Sequence, residues 1–320
     1  MPARPSIAVL MDPLDTIKPA KDSTIAMLKA AARRGCETLS FGQGDLWVRD
    51  GRALARLAPI EVVGEGKAWY RSGEPVVRAL ADVDAVLMRK DPPFDMEYVY
   101  TTYLLERAEQ DGVLVVNRPQ GLRDMNEKAY TAWFADCCAP TLITRDMTAM
   151  ESFLAEHGEA VFKPLDGMGG RSIFVVASGD RNARVVFETL TDSGRRHAIA
   201  QRYLPEIATG GDARILLVDG EPVPHALVRM PAAGDHRGNL AAGAKAESRA
   251  LTERDRWLAS RIGPAMRGRG MLFVGLDVIG GLVTEINVTS PTGIREIEAM
   301  HGHDVGGLLI DAVIARLGRS

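Results

Sequence analysis

The length, composition and charge of this chain exclude several classes of protein. It has 320 residues, of which 46% are hydrophobic and 25% charged, and its formal net charge is -3. This composition is typical of a globular protein, and a length beyond about 250–300 residues predicts more than one packed unit. The slightly negative charge gives no electrostatic basis for binding nucleic acid.

The amino terminus and the cysteines predict where the protein works. The first apolar run stops at Asp12, which is too short for a secretion signal or a membrane span. Cys36, Cys137 and Cys138 form no CxxC pair, and an odd number of cysteines does not make a disulfide framework. We therefore expect a cytoplasmic protein that does not associate with a membrane.

The first third of the chain alternates strand-like and helix-like segments. Apolar runs and helical periodicity predict strands at 6–11, 84–88 and 113–117 and helices at 22–35 and 97–110. This order predicts an open α/β (Rossmann-like) sheet of crossover units, in which ligands gather at the carboxyl ends of the strands. The intervening residues, 42–75, are rich in glycine and charge, and they predict an irregular excursion or a small hairpin.

The rest of the chain predicts two further units of mixed α+β structure. We place the boundaries at 1–122, 123–200 and 201–320. The elements expected in the second and third units are helices at 126–134, 183–191, 305–317 and from Thr252, and strands at 160–164, 172–176, 197–203, 213–218, 224–229, 271–279 and 282–287.

A glycine-rich segment, Asp166-Gly167-Met168-Gly169-Gly170, follows Lys163 at the end of a predicted strand. Glycines let backbone N–H groups approach a ligand closely, so this loop suits a phosphate group. It is not a Walker loop, because the lysine precedes the glycines. An ordinary hairpin turn is the alternative interpretation.

Three oxygen-bearing side chains follow the pattern of a metal site. Alternation along a strand places Glu285 and Asn287 on one face, and Asp277 lies on the strand that precedes a Gly-Gly turn. Such a set suits Mg2+, which takes few protein oxygens and completes its shell with water and phosphate. A solvated polar face without an ion is the alternative.

Three weaker signals accompany these motifs. Lys128 supplies a second ammonium group for a polyphosphate, although a lysine at the surface is the common alternative. The segment 201–205 offers a flat edge for a nucleotide base. The segment 230–245 is long and rich in small residues, which favours a lid, with plain disorder as the alternative.

Four stretches of the chain are specific enough to compare with known families. They are Met-Arg-Lys-Asp-Pro-Pro-Phe at 88–94, Lys-Pro-Leu-Asp-Gly-Met-Gly-Gly at 163–170, Arg-Gly-Asn-Leu-Ala-Ala-Gly at 237–243, and Phe-Val-Gly-Leu-Asp through Thr-Glu-Ile-Asn-Val-Thr-Ser-Pro-Thr at 273–292. Taken together and in this order, they resemble the bacterial glutathione synthases, a family of ATP-grasp ligases. The resemblance extends from Ile7 to about Leu317. It implies three domains, ATP held between the second and third, and a homotetramer or homodimer.

The resemblance also implies an activity and site residues. The implied reaction joins γ-glutamylcysteine to glycine with ATP and Mg2+, or Mn2+, through an acyl phosphate. The nucleotide residues expected are Lys128, Lys163, Asp166, Gly167, Met168, Gly169, Gly170, Gln201, Tyr203, Leu204, Asp212 and Asn239. The metal residues are Asp277, Glu285 and Asn287.

Arginines and hydroxyl groups complete the expected site. A guanidinium offers a fork of donors to an oxyanion, so Arg229, with Arg214 nearby and Lys163 on the γ-phosphate, is assigned to catalysis. The residues expected on substrate carboxylates are Arg89, Lys90, Arg237, Ser290 and Thr292. Two rivals stay open, namely another ATP-grasp amino-acid or peptide ligase, and an ATP-binding regulator without turnover.

Overall fold

The structure, a computed structural model, describes residues 4–232 and 245–318. Its strands are β1 Ser6–Leu10, β2 Glu37–Phe41, β3 Leu46–Arg49, β4 Arg52–Val62, β5 Tyr70–Ser72, β6 Val76–Ala79, β7 Ala85–Met88, β8 Leu114–Val116, β9 Thr141–Thr144, β10 Glu159–Pro164, β11 Phe174–Ala177, β12 Ala198–Arg202, β13 Asp212–Val218, β14 Glu221–Pro222, β15 His225–Met230, β16 Lys245–Ala250, β17 Phe273–Ile279 and β18 Leu282–Asn287. Its α-helices are α1 Ser23–Arg33, α2 Met96–Gln110, α3 Pro119–Asp124, α4 Met147–His157, α5 Ala183–Thr191, α6 Ile207–Gly210, α7 Glu253–Gly268, α8 Ile294–His301 and α9 Val305–Leu317. Within the described ranges, no helix is long and apolar enough to cross a membrane.

The first sheet has the order β3-β4-β2-β1-β7-β8, with β5 and β6 also paired to β4. Its centre is parallel, since β1 pairs with β2 and β7, and β7 pairs with β8. Helix α1 begins where the sequence predicts, because the Asp22 side chain accepts the N–H of Thr24. The predicted open α/β sheet of crossover units is confirmed.

Residues 42–75 are not an irregular excursion: β3 and β4 form a hairpin, as the second alternative predicted, and β4 extends it into a larger set of paired strands. β4 is an 11-residue strand that pairs with β2, β3, β5 and β6. Its inward positions include Ala53, Ala55 and Leu57, which are at most 2% exposed. Small alanines alternating with arginine and leucine give a weak hydrophobic signal, and this is why the strand escaped sequence-based recognition.

The second sheet has the order β11-β10-β12-β9 and carries α4 and α5. Phe162 of β10 packs against Phe187 of α5, with ring centroids 4.6 Å apart. The predicted α-helix at 126–134 is instead a 3-10 helix, Ala129–Cys137. The Asn126 side chain sets its start by accepting the N–H groups of Lys128 and Ala129.

The third sheet has the order β16-β15-β13-β17-β18, and β14 pairs with β13. The turn between β13 and β14 has Asp219 at φ 49° and Gly220 at φ 79°, the left-handed values that a tight hairpin turn requires. Helix α7 starts at a capping box in which Thr252 and Asp255 satisfy each other's N–H groups. Helix α9 packs on α1, so the end of the chain returns to the first sheet.

Candidate active site

Two cavities meet where the second and third sheets face each other. Both are open to solvent, and the space between their walls, open solvent included, is about 720 Å³ in the first and about 870 Å³ in the second. The residues that line the first cavity include Val161, Lys163, Val175, Gln201, Tyr203, Leu204, Ile207, Asp212, Asp277, Ile279 and Glu285. Those that line the second include Asp91, Glu127, Lys128, Gly167, Met168, Gly169, Arg214, Arg229, Glu285, Asn287, Thr289, Ser290 and Thr292. Glu285 lines both cavities.

The first cavity has an apolar body and a charged end. Val161 of β10, Val175 of β11 and Ile279 of β17 form the body together with Leu204 and Ile207. The predicted nucleotide residues Gln201, Tyr203 and Leu204 lie along one wall, and Lys163 and Asp212 lie at the charged end. A slot of this kind suits a planar base with a polar or anionic tail.

Two buried lysines converge on Glu285. The distance from the Nζ atom to Glu285 Oε1 is 3.3 Å for Lys163 and 3.7 Å for Lys128. Burial opposes ionisation of Glu285, but the two ammonium groups hold its pKa below the usual range. The cluster carries a net positive charge, which is what a polyphosphate requires.

The glycine-rich loop covers the second cavity. Gly169 and Gly170 have φ of 64° and 79°, a region that favours glycine. A Cβ atom on Gly167 would lie 2.7 Å from Pro164 Cγ. The loop is tied to the preceding segment, since Lys128 Nζ donates to the carbonyl of Gly167 at 2.5 Å and Asn126 Nδ2 donates to that of Leu165 at 3.1 Å.

Four charged side chains form a buried network beneath both cavities. Asp277 accepts two hydrogen bonds from Arg214, at 2.8 and 2.9 Å, and its Oδ2 lies 2.9 Å from an Arg229 nitrogen. Arg229 also donates to Asp212 at 2.5 Å. The strand register places these residues opposite each other, because Asp212 pairs with Arg229 and Arg214 pairs with Asp277. The catalytic arginines predicted from the sequence therefore lie together.

The residues predicted to bind metal also lie together. Asp277 pairs with Glu285 across β17 and β18, and Gly275 pairs with Asn287. Asn287 Nδ2 donates to the carbonyl of Gly275 at 3.2 Å, which leaves Oδ1 as an acceptor. In the described ranges no group of three or more His, Cys, Asp and Glu side chains could hold a metal ion. The carboxylate of Glu285 and the free Oδ1 of Asn287 are hard oxygen donors of the kind that suits Mg2+, which retains water and phosphate ligands.

The residues predicted to bind substrate divide into three groups. Ser290 and Thr292 line the second cavity. Arg89 and Lys90 do not, because Arg89 is buried and donates to Thr24 and to the carbonyl of Pro291, while Lys90 pairs with Asp12. Arg237 and Asn239 lie outside the described residues.

Comparison with protein families gives matches over most of the chain. The model of the prokaryotic glutathione synthetase N-terminal domain matches residues 6–123, and that of the prokaryotic glutathione synthetase ATP-grasp domain matches residues 127–302. The chain belongs to the prokaryotic glutathione synthetase family. Membership confirms the predicted family and glutathione synthase activity, and it implies use of ATP and a divalent metal ion.

Individual relatives agree with this assignment. The chain is 53% identical to a glutathione synthetase of Pseudomonas putida, over 97% of this chain and 98% of the relative. It is 51% identical to a glutathione synthetase of Salmonella typhimurium, over 98% and 99%. The protein is thus an ATP-dependent ligase of the glutathione synthetase family.

Solved structures confirm the ATP-grasp fold. D-cycloserine synthetase DcsG superposes with a TM-score of 0.71 at 17% identity, covering 98% of this chain and 99% of that one. A RimK domain protein of Sphaerobacter thermophilus gives a TM-score of 0.61 at 20% identity, covering 97% and 99%. At these identities the likeness shows the fold alone.

Glu127 is a site residue that the sequence did not single out. Its Oε1 atom accepts the N–H groups of Val288 and Thr289, at 2.9 and 3.0 Å, and the Thr289 hydroxyl at 2.7 Å. Its backbone carbonyl accepts the N–H of Ile286 at 2.9 Å. Glu127 thereby fixes Lys128 beside the strand of Glu285. Only its position directly before Lys128 could have indicated this role.

Replacing Glu127 with alanine is expected to weaken ATP binding and to lower turnover. The change leaves two N–H groups and a hydroxyl without their acceptor, which costs about 1–3 kcal/mol per unsatisfied group. Lys128 then loses its fixed position relative to Glu285. Steady-state kinetics should show a raised KM for ATP and a reduced kcat, and Glu127→Gln, which keeps the acceptor oxygen, should recover most of both. Equal defects in the two variants would contradict this role.

Asp212 is expected to make the ligand-free protein less stable as the pH rises from about 4 to about 6. Burial, reinforced by the charge of Asp277, raises the pKa of Asp212 to about 6 despite the attraction of Arg229. The unfolded value is about 3.9, so between these values the folded state binds a proton that the unfolded state has lost. The stabilisation is complete below about pH 4 and is lost as the pH rises through 6.

The Asp212→Asn variant is the control for this pH dependence. Urea unfolding at several pH values should show the free energy of unfolding of wild type falling relative to that of the variant as the pH rises. Parallel pH profiles for the two proteins would show that Asp212 has no raised pKa.

Proposed function

We propose that the two cavities hold the reactants of one reaction, with ATP in the first and γ-glutamylcysteine and glycine in the second. The observation that carries this proposal is the position of Glu285, which lines both cavities and contacts both phosphate lysines. The γ-phosphate and the dipeptide carboxylate would meet there. The proposed units 1–122, 123–200 and 201–320 each contain most of one sheet, although the boundary at 200 falls within β12 of the second sheet, and the proposed ATP cavity lies between the last two.

The chemistry follows from the nature of a carboxylate. At neutral pH it is a poor electrophile, so one of its oxygens must become a leaving group. The cysteinyl carboxylate of γ-glutamylcysteine attacks the γ-phosphorus of ATP, breaking the bond to ADP and giving an acyl phosphate. The amine of glycine then attacks the acyl carbon, phosphate leaves, and a proton is released as glutathione forms.

The residues of this chain position the reactants and stabilise developing charge. Lys128 and Lys163 bind the phosphates, and the loop Asp166 to Gly170 covers them. Gln201, Tyr203 and Leu204 hold the base, and Asp212 lies toward the ribose. Arg229, with Arg214, donates to the acyl phosphate and to the oxyanion formed by glycine's attack. Ser290 and Thr292 bind substrate carboxylates.

We assign the divalent metal to Glu285, Asn287 and Asp277, with Mg2+ as the expected ion and Mn2+ as a substitute. The open Oδ1 of Asn287 and the carboxylate of Glu285 supply hard oxygen donors, as Mg2+ requires. Asp277 is held by Arg214 and Arg229, and its negative charge lies on the strand position opposite Glu285. When bound, the ion offsets the charge of the β- and γ-phosphates.

A two-substrate phosphate-release assay tests the proposed function. With ATP present, phosphate release should require γ-glutamylcysteine and glycine together, and D-alanine or glutamate in place of glycine should give little. Efficient use of D-alanine or glutamate would favour another amino-acid ligase of the same fold. ATP binding without any substrate-dependent release would favour a regulator.

We further propose a cytoplasmic protein. Its substrate ATP is cytoplasmic, and Cys36, Cys137 and Cys138 are free thiols, as expected in a reducing compartment. Cell fractionation with an antibody to the chain should recover the protein with soluble cytoplasmic enzymes; recovery elsewhere would overturn this placement.

We also propose a homodimer or homotetramer that uses the outer face of α2. Met96, Tyr100 and Tyr103 follow helical spacing and are 50–56% exposed, and aromatic side chains of this kind are enriched at interfaces. Light scattering should give a multiple of the monomer mass for wild type and a smaller mass for the double variant Tyr100→Glu, Tyr103→Glu. An unchanged mass in that variant would exclude this face.

A further inference from the structure

The second cavity contains three carboxylates among its described lining residues, and two are already satisfied. Glu285 pairs with Lys128 and Lys163. Glu127 accepts three hydrogen bonds from the segment 288–289. The third carboxylate belongs to Asp91, which follows β7 of the first sheet and lines the same cavity.

The Asp91 carboxylate lacks a cationic partner within the part of the chain that the structure describes. Burial has the largest effect on its pKa, which it raises; Ser290 and the guanidinium of Arg89 lower the pKa, and the carboxylates of Asp22 and Asp12 raise it. The surrounding protein raises its pKa although the side chain is open to the cavity. A carboxylate in this setting gains most from a cation that arrives with a ligand.

The backbone of Asp91 is held rigidly, which fixes the direction of approach to its side chain. Its N–H donates to Asp12 Oδ2 at 2.9 Å, and its carbonyl accepts from Lys90 Nζ at 2.7 Å. Lys90 and Asp12 close the ring through an ion pair of 2.7 Å. Lys90 therefore holds the backbone of Asp91, and its charge is neutralised by Asp12.

We propose that Asp91 binds the α-ammonium group at the γ-glutamyl end of the dipeptide substrate. This inference rests on the proposed function, because it requires γ-glutamylcysteine in the second cavity. The Thr292 hydroxyl lines the same cavity, accepts from Arg214 Nη1 at 3.3 Å and keeps its own proton, which suits the α-carboxylate of the same residue. The zwitterionic end of the substrate then meets one acceptor and one donor.

The other amine in the reaction is a poorer match for Asp91. Glycine must attack as a neutral amine, and a salt bridge to a carboxylate would hold it as an unreactive ammonium ion. The γ-glutamyl ammonium group takes no part in bond formation and stays charged throughout. Binding at Asp91 therefore orients the dipeptide without suppressing the nucleophile.

A cycle of one protein change and one substrate change tests the assignment. The protein change is Asp91→Asn, which keeps the size of the side chain, and the substrate change is N-glutarylcysteine, which lacks only the α-ammonium group. With γ-glutamylcysteine, the variant should lose about 10- to 100-fold in kcat/KM, the range for one hydrogen bond between charged groups. With N-glutarylcysteine, wild type and variant should agree within about twofold.

The loss should appear in the KM for the dipeptide, with the KM values for ATP and glycine unchanged. Asp95→Asn is the matched control, because Asp95 caps α2 close by and asparagine also caps helices, so its kinetics should equal those of wild type. Urea unfolding of both variants separates a folding defect from a binding defect.

Two results would overturn the assignment. One is an Asp91→Asn variant with unchanged kcat/KM for γ-glutamylcysteine, and the other is a loss of equal size with both substrates. A wild-type protein that does not release phosphate with γ-glutamylcysteine and glycine would instead refute the proposed function. The two failures are therefore distinguishable.

Discussion

Changing Glu285 to glutamine is expected to lower kcat by about 100- to 1,000-fold while leaving a folded protein. Loss of one preorganised electrostatic group at a reacting phosphate typically has an effect of this size. The side chain keeps its shape, but the negative charge that the metal ion requires is gone. Lys128 and Lys163 remain, so the KM for ATP should not rise. Initial rates of phosphate release at saturating Mg2+ measure the effect.

The control for this change is Glu253→Gln, an exposed position in the first turn of α7 that contacts neither cavity. Glu253→Gln should unfold at the urea concentration of wild type, and Glu285→Gln should still fold but unfold at a lower concentration, because Lys128 and Lys163 lose their buried carboxylate. A near-normal rate for Glu285→Gln at saturating Mg2+ would exclude Glu285 as a metal ligand.

Changing Arg229 to methionine is expected to damage stability and turnover together. Arg229 is 4% exposed and bridges Asp212 and Asp277, so its loss leaves two buried carboxylates with Arg214 alone. Breaking a buried pair on one side costs about 3–5 kcal/mol. The same change removes a donor to the reaction's oxyanions, so kcat should fall by about 100- to 1,000-fold. Urea unfolding and phosphate release measure the two effects.

A double variant separates the structural role of Arg229 from its catalytic role. Adding Asp212→Asn removes one of the uncompensated charges, so the double variant should recover part of the lost stability. Its turnover should stay low, since no donor has been restored. If turnover returned together with stability, Arg229 would be acting only as a structural counter-ion.

The sequence predicted that the three proposed metal residues lie together because a strand has a strict period of two. Alternation alone placed Glu285 and Asn287 on one face, and the Gly280-Gly281 turn brought Asp277 opposite Glu285. Alternation along a strand and the residues of a tight turn do not depend on contacts with distant segments. The parallel crossover sheet was predictable for the same reason, since the caps of α1 and the apolar runs of its strands are local features.

What the sequence could not predict depends on contacts between distant segments. Arg89 and Lys90 have the residue types that bind carboxylates, but the fold places the carbonyl of Pro291 against Arg89 and the carboxylate of Asp12 against Lys90. Glu127 and Asp91 are ordinary acidic residues in the sequence. Only the approach of the segment 288–290 gives each of them a role.

Transfer of an oxygen atom from the substrate carboxylate to phosphate is direct evidence that an acyl phosphate forms. γ-Glutamylcysteine labelled with ¹⁸O in its cysteinyl carboxylate is incubated with the protein, ATP, Mg2+ and glycine, and the released phosphate is analysed by mass spectrometry. Formation of an acyl phosphate predicts that one labelled oxygen enters phosphate for each glutathione formed. Unlabelled phosphate released alongside glutathione would exclude an acyl phosphate intermediate.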